Sequence, residues 1–197
     1  MKVLIINTSD IIGGAAKAAF RLNTALNHIG ITSRMYVHQK SSNSDLVIEK
    51  KSFIKPHWAA IADRMLYLFF CKEKNTHWTS AWFPSNNTKK INKLEPDIIH
   101  IQWIGAGFIS ISELARFKKP IVWRLSDSWA YTGGCHLPYD CDKYKYDCGK
   151  CPYLKTNSKF DLSFWILKKK KKKWKSLDLT IVTPSEWMKK QVQSSAD

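Results

Sequence analysis

The chain has 197 residues, enough for one large domain, and 44% of them are hydrophobic and 13% aromatic, which excludes a globally disordered protein. Lys and Arg number 32 against 16 acids, a formal charge of +16 that favours anionic partners: nucleic acid, phosphate-bearing ligands or an acidic membrane surface. No run reaches the ~20 apolar residues of a spanning helix, and the apolar stretch after Met1-Lys2 stops at Asn7, too early for a signal core, so a reducing cytoplasmic setting is expected.

Residues 3–7 (VLIIN) form the continuous apolar run of a parallel strand buried on both faces. Gly13-Gly14 follows. Ala16, Ala19, Phe20, Leu22, Ala25, Leu26 and Ile29 then recur at helical spacing up to Gly30, which suits the position just past a helix end. Residues 32–38 alternate as a strand, completing a β-turn-α-β unit with a right-handed crossover. A polar loop with a short strand at 46–48 is expected over 40–56, then a helix over 57–71, little periodicity over 72–86, and a short helix over 89–94. Further on, the pattern predicts strands over 97–101 and 120–125 around a helix at 110–117, then a long loop, a basic helix over 161–175, and a strand over 179–182. A last helix runs from Ser185 to Asp197 without a stop signal, as in the N-terminal part of a larger protein. Strands alternating with helices predict a doubly wound α/β domain with a mostly parallel, Rossmann-like sheet and a long cysteine-rich loop insertion.

Ligands of such sheets bind at the carboxyl ends of the strands, where Gly13 and Gly14 sit. Two glycines let the backbone approach a ligand, and the helix N-terminus offers N–H groups to a phosphate or a sugar hydroxyl; a tight turn without a ligand is the alternative. The spacing is not G-x-G-x-x-G, the second strand ends Val37-His38-Gln39 without the acid that holds a nicotinamide ribose, and no G-x-x-x-x-G-K-S/T loop occurs. A dehydrogenase and a P-loop ATPase are both poorly supported.

Cys135, Cys141, Cys148 and Cys151 are spaced C-x5-C-x6-C-x2-C. The turn Cys148-Gly149-Lys150-Cys151 lets thiolates converge, and four thiolates suit a structural, tetrahedral zinc. Two disulfides or free thiols remain open, although the expected reducing setting weighs against disulfides. A thioredoxin-type motif would open a helix, whereas this one meets Pro152; Cys71 lies apart and reads as a buried thiol. In "FWILKKKKKKWK" (164–175) lysines go around every side of the helix. That is either a solvated helix or a segment drawn to anionic lipid, with Trp165, Ile166 and Trp174 entering the interface. Met65–Phe70 would add to such a contact unless it is a buried helix face.

The Gly-Gly-Ala turn, "PDIIHIQW", "GFISISEL", "KPIVWRLSDSWAYTGGCHLPYDCDKY", "CGKCP" and "LTIVTPSEWM" together resemble the N-terminal domain of family 4 glycosyltransferases of the GT-B fold, in the branch that builds bacterial surface polysaccharides. The resemblance covers nearly the whole chain. It implies two facing Rossmann-like halves with the active site between them. The half present here shapes the acceptor site for a glycan or polyprenyl-linked glycan, peripheral at the inner membrane face. The other half binds the nucleotide-sugar donor, so this chain alone would not transfer sugar. The resemblance also implies substrate contacts from Gly13, Gly14, Gln102, Trp103, Gly133 and Gly134, and a catalytic position at Ser126-Asp127. Trp129 and Tyr131 would stack on a sugar face, with core packing as the other reading. The family commonly has His-Asp where this chain has Ser126-Asp127, and His-Trp where it has Gln102-Trp103. A serine hydroxyl can hydrogen-bond there but is no base near neutral pH, which leaves Asp127 as the expected catalytic group. The competing reading is a basic nucleic-acid-binding module with a zinc-stabilised loop. Its lysines, however, are not interleaved with aromatics on one strand face, and no RRM, KH or helix-turn-helix pattern occurs.

Overall fold

Why the first strand must be central follows from its side chains. In a computed structural model, which describes residues 1–50, 58–72 and 77–195, β1 (Lys2–Ser9) sends alternate residues to opposite faces. Val3 and Ile5 pack with Ala19, Met35 and Val37, while Leu4 and Ile6 pack with Ile99, Ile101, Ile121 and Trp123. Ile5, Ile6 and Met35 are wholly buried, and each such side chain contributes roughly 1.5–3 kcal/mol by leaving water.

Around β1 the chain adds α1 (Gly14–His28), β2 (Thr32–Gln39), β3 (Val47–Glu49), α2 (Trp58–Phe70), α3 (Thr88–Lys93) and β4 (Ile98–Ile101). It continues with α4 (Ile111–Leu114), β5 (Ile121–Arg124), α5 (Leu162–Trp174), β6 (Leu179–Val182) and α6 (Glu186–Gln193). The six strands lie in the order β3-β2-β1-β4-β5-β6 and every pair is parallel, so the sheet is a Rossmann-like one, wholly rather than mostly parallel. The winding reverses between β1 and β4, and a crevice opens there at the carboxyl ends of the strands. No helix among the described residues is long and apolar enough to cross a membrane.

The predicted strands fall where the apolar runs put them. The helix expected over 110–117 is only Ile111–Leu114, opened by a capping box in which Ser110 and Glu113 each bond the other's backbone. Glu113 is 1% exposed and is held by four donors: the N–H groups of Ser85 (2.8 Å), Asn87 (2.6 Å) and Ser110 (3.1 Å) and the Ser85 hydroxyl. The loop expected over 40–56 is described to residue 50 and the helix expected from 57 begins its description at Trp58. The last helix ends at Gln193 with Ser194 as its cap; Asp197, to which it was expected to run, lies outside the described residues.

Two expectations about exposed faces change. The lysine run is not uniformly solvated, because α5 turns one of its lysines into the core. Lys170 is 2% exposed, its amine lies 3.6 Å from the centre of the Trp129 ring, and it donates to the carbonyls of Trp129 and Thr132. Burial pulls this ammonium down to about 7. Lys169 sits 3.7 Å over Trp82 and donates to its carbonyl, whereas Lys168, Lys172 and Lys173 are exposed. Conversely, the Met65–Phe70 stretch is not a buried face: Ile61, Met65, Leu68 and Phe69 are all exposed along α2.

Candidate functional site

Three loops meet at the crevice, one after each of β1, β4 and β5. The Thr8 N–H donates to the Trp103 carbonyl (2.8 Å) and the Trp103 N–H to Asn7 Oδ1 (2.9 Å), which stitches the first two together. Ser126 and Asp127 leave β5 beside them. Asp127 turns the chain locally, its Oδ1 accepting from the Trp129 N–H two residues on (2.9 Å).

The other wall is built by a short antiparallel pairing. Trp78 bridges Cys135, the Thr79 N–H donates to the Gly134 carbonyl (2.8 Å), and the His136 N–H donates to the His77 carbonyl (2.9 Å). Asp63 of α2 fixes this ladder from behind by accepting from the N–H groups of Ser80 (2.9 Å) and Ala81 (3.0 Å) and from the Ser80 hydroxyl. Burial pushes the Asp63 carboxyl up, against the pull of those donors.

The ladder delivers His136 to Asp127. Asp127 Oδ2 lies 2.6 Å from His136 Nδ1 and accepts from Trp103 Nε1 at 2.8 Å; His136 Nε2 lies 2.8 Å from Thr79 Oγ1. Burial raises the Asp127 carboxyl, but the His136 contact and the donors from Trp129 and Trp103 outweigh it and hold the group below the usual carboxylate range. With Asp127 ionised, the proton belongs on Nδ1, and Nε2 then accepts from the Thr79 hydroxyl. A carboxylate thus fixes the tautomer and the far nitrogen meets a hydroxyl, a hydrogen-bonded relay from Asp127 through His136 to Thr79.

The relay faces open space on two sides. A hollow of about 980 Å³ is bordered by Arg64, His77, Thr79, Trp103, Asp127 and His136. A second, of about 450 Å³, runs from Gly13 and Gly14 past Gln39 to Trp103, Ser126 and Asp127. Thus Gly13, Gly14, Trp103, Ser126 and Asp127 come together as expected. Gln102 is 3% exposed and receives Arg124 Nη1 at 3.3 Å, so it backs the cleft rather than lining it openly. The Ser126 hydroxyl also receives Arg124 Nη1, at 3.4 Å.

Four expected contacts are corrected. Trp129 and Tyr131 are 4% and 7% exposed. Trp129 packs against Trp123 and Trp174 with Lys170 over its face, and Tyr131 packs edge-on against Tyr144 and donates to Ser128 Oγ at 2.7 Å. Neither ring has a face left for a sugar. Gly133 and Gly134 lack side chains for internal reasons. A Cβ at Gly133 would meet the Ser163 carbonyl oxygen at 2.4 Å, and one at Gly134 the Trp78 indole at 2.5 Å.

Gly13 and Gly14 differ from each other. Gly13 holds φ 91°, ψ 168° as the residue before α1, a conformation that disfavours any side chain, yet at Gly14 a Cβ would meet nothing within 4 Å. Gly14→Val should therefore leave the melting temperature close to wild type while intruding on the 450 Å³ hollow. Gly13→Val should cost about 1–3 kcal/mol of stability. Thermal melts beside ligand titrations check this; a Gly14→Val protein that unfolds early would contradict it.

Comparison with family models, with curated proteins and with solved structures returned no match to this chain. His136 and Thr79 are the residues that sequence reasoning passed over. His136 stands inside the Gly-Gly-Cys-His motif, nine residues after Asp127, but nothing in a loop's spacing tells which side chains meet.

Proposed function

We propose that the chain is the acceptor-side half of a glycosyltransferase that moves a sugar from a nucleotide-sugar to a glycan or polyprenyl-linked glycan. The observation that carries this reading is the Asp127–His136 pair, 2.6 Å apart, at the carboxyl edge of a doubly wound sheet, with both residues on the larger hollow and Asp127 on the smaller one as well. The pair also answers the difficulty raised by Ser126, because His136 supplies from a distant turn the imidazole that the neighbouring position lacks.

In this reading the acceptor hydroxyl takes the place of the Thr79 hydroxyl at His136 Nε2. That nitrogen removes its proton as the acceptor oxygen bonds to the sugar and the sugar–phosphate bond of the donor breaks; the nucleotide leaves with the bonding electrons on its phosphate oxygen, and Asp127 stabilises the imidazolium. The N–H groups at the start of α1, next to Gly14, suit a donor phosphate. Arg64 at the rim suits the diphosphate of a lipid-linked acceptor.

The outer side of α2 supports a membrane-proximal location. The helix carries Arg64 into the cleft wall and leaves Ile61, Met65, Leu68 and Phe69 exposed, which fits a protein resting on the inner membrane face where polyprenyl-linked glycans are presented. Ile61→Asp with Leu68→Asp, or Gln at Lys168, Lys172 and Lys173, should weaken binding to anionic vesicles, the lysine set mainly at low salt. Equal sedimentation of all forms with such vesicles would count against the docking.

The direct test of the function joins this chain to its donor-binding half and supplies labelled nucleotide-sugars with polyprenyl-diphosphate glycans. Label should pass to the lipid only in the joined protein. Turnover by the 197-residue chain alone would contradict the division of labour.

A further inference from the structure

Cys135, Cys141, Cys148 and Cys151 come from separate turns between β5 and α5, yet all four line one void of about 10 Å³. That is room for a single water-sized centre. None is joined in a disulfide. Among the described residues no group of three or more His, Cys, Asp or Glu is placed to hold a metal ion as it stands, so binding one requires the sulphurs to move inward.

Two features of the surroundings suit an ion. The first is the turn that presents the last pair. Cys148, Gly149 and Lys150 all have positive φ (57°, 88° and 44°), a run of left-handed backbone that two non-glycine residues adopt only when the surroundings impose it. The Cys151 N–H donates to Asp161 Oδ2 (2.7 Å), the Gly149 N–H to Ser163 Oγ (3.0 Å) and the Lys150 N–H to the Ser158 carbonyl (2.8 Å), which fix that turn on the start of α5.

The second is Lys170. This fully buried amine donates to the carbonyls of Trp129 and Thr132, and the Thr132 hydroxyl donates to the Cys135 carbonyl, which places the ammonium near that end of the cluster. A tetrathiolate zinc carries a net charge of −2, and a buried ammonium near Cys135 offsets half of it.

We propose that Cys135, Cys141, Cys148 and Cys151 bind one zinc ion as a structural site. Zn²⁺ displaces the four thiol protons, which leave to solvent, and the sulphurs close inward onto the void at about 2.3 Å. With four protein ligands the ion has no open position for water, so it holds structure rather than performing chemistry. Cys135 directly precedes His136, and the site therefore clamps the turn that carries the histidine to Asp127. The inference stands on the cysteines and Lys170 alone and does not depend on the reaction assigned to the cleft.

The test is elemental analysis of the 197-residue protein, purified under reducing conditions without added metal. About one zinc per chain is expected. Chelator under denaturing conditions should release it together with five reactive thiols, the four ligands and the buried Cys71, and Co²⁺ reconstitution should give the absorption of a tetrahedral thiolate complex. Cys141→Ser and Cys148→Ser should each lose the metal, and Cys71→Ser should keep it. A folded, metal-free wild-type protein that neither takes up Zn²⁺ or Co²⁺ nor protects its thiols would overturn the proposal. So would a mass spectrum showing these cysteines paired in disulfides in protein isolated with thiols trapped at lysis. Both results come from the wild-type chain and hold whether or not the serine variants fold.

Discussion

His136→Ala in the protein carrying both halves should slow sugar transfer by roughly 10²–10⁴-fold, the usual contribution of a positioned base. The loss should fall on kcat, with the acceptor KM changed little, because the imidazole acts on one hydroxyl while the cleft walls do the binding. Asp127→Asn should approach the same loss for a different reason. An amide retains the shape but gives the imidazole no anion to fix its tautomer or to stabilise its charge. Asp127 also receives Trp103 Nε1 at 2.8 Å, so this variant should raise KM as well, which separates the two roles. Steady-state kinetics on the two variants check this, and a His136→Ala enzyme with wild-type kcat would remove His136 from the chemistry.

Lys170→Ala should cost about 3–5 kcal/mol of stability, the range of large truncations in a packed core. The side chain is 2% exposed, so its removal leaves a hole between Trp129 and α5. It also takes the donor away from two carbonyls, those of Trp129 and Thr132, at about 1–3 kcal/mol for each group left unsatisfied. Lys170→Met fills most of the volume but restores neither donor, and should fall between Ala and wild type. Lys172→Ala, two residues along on an exposed position, should stay within about 0.5 kcal/mol. Equal denaturation midpoints for Lys170→Ala and Lys172→Ala would contradict the buried-lysine account.

The sheet was legible because parallel strands buried on both faces leave unbroken apolar runs, as in Val3-Leu4-Ile5-Ile6 and Asp97-Ile98-Ile99-His100-Ile101. Strand alternation with helices gave the doubly wound order, and with it the crevice at the carboxyl ends of the strands. The site was legible only as far as that rule reaches. Gly13, Gly14, Trp103, Ser126 and Asp127 follow strand ends directly, so chain position located them. His136 and Thr79 reach the same place through a two-strand ladder between irregular segments, and pairing of that kind writes no period into the sequence. The aromatic expectations failed for a related reason. A tryptophan in a loop suggests a sugar platform, but here the segment after β5 folds back as core and buries Trp129 under a lysine from α5. The six-lysine run hid that lysine, since only helical phase against the core distinguishes Lys170 from its neighbours. On α2 the opposite happened: apolar spacing suggested burial, and the face with Ile61, Met65, Leu68 and Phe69 is exposed.

The most direct measurement of the central claim is a titration of the isotope-labelled 197-residue protein with a soluble short-chain polyprenyl-diphosphate glycan, followed by NMR. Saturable binding is expected, with shifts concentrated at the Trp103 indole, His136 and the Gly13-Gly14 amides, and with weaker affinity in Asp127→Asn. No saturable shift with any such acceptor, together with tight binding to random-sequence DNA that collapses steeply as salt rises, would contradict the account.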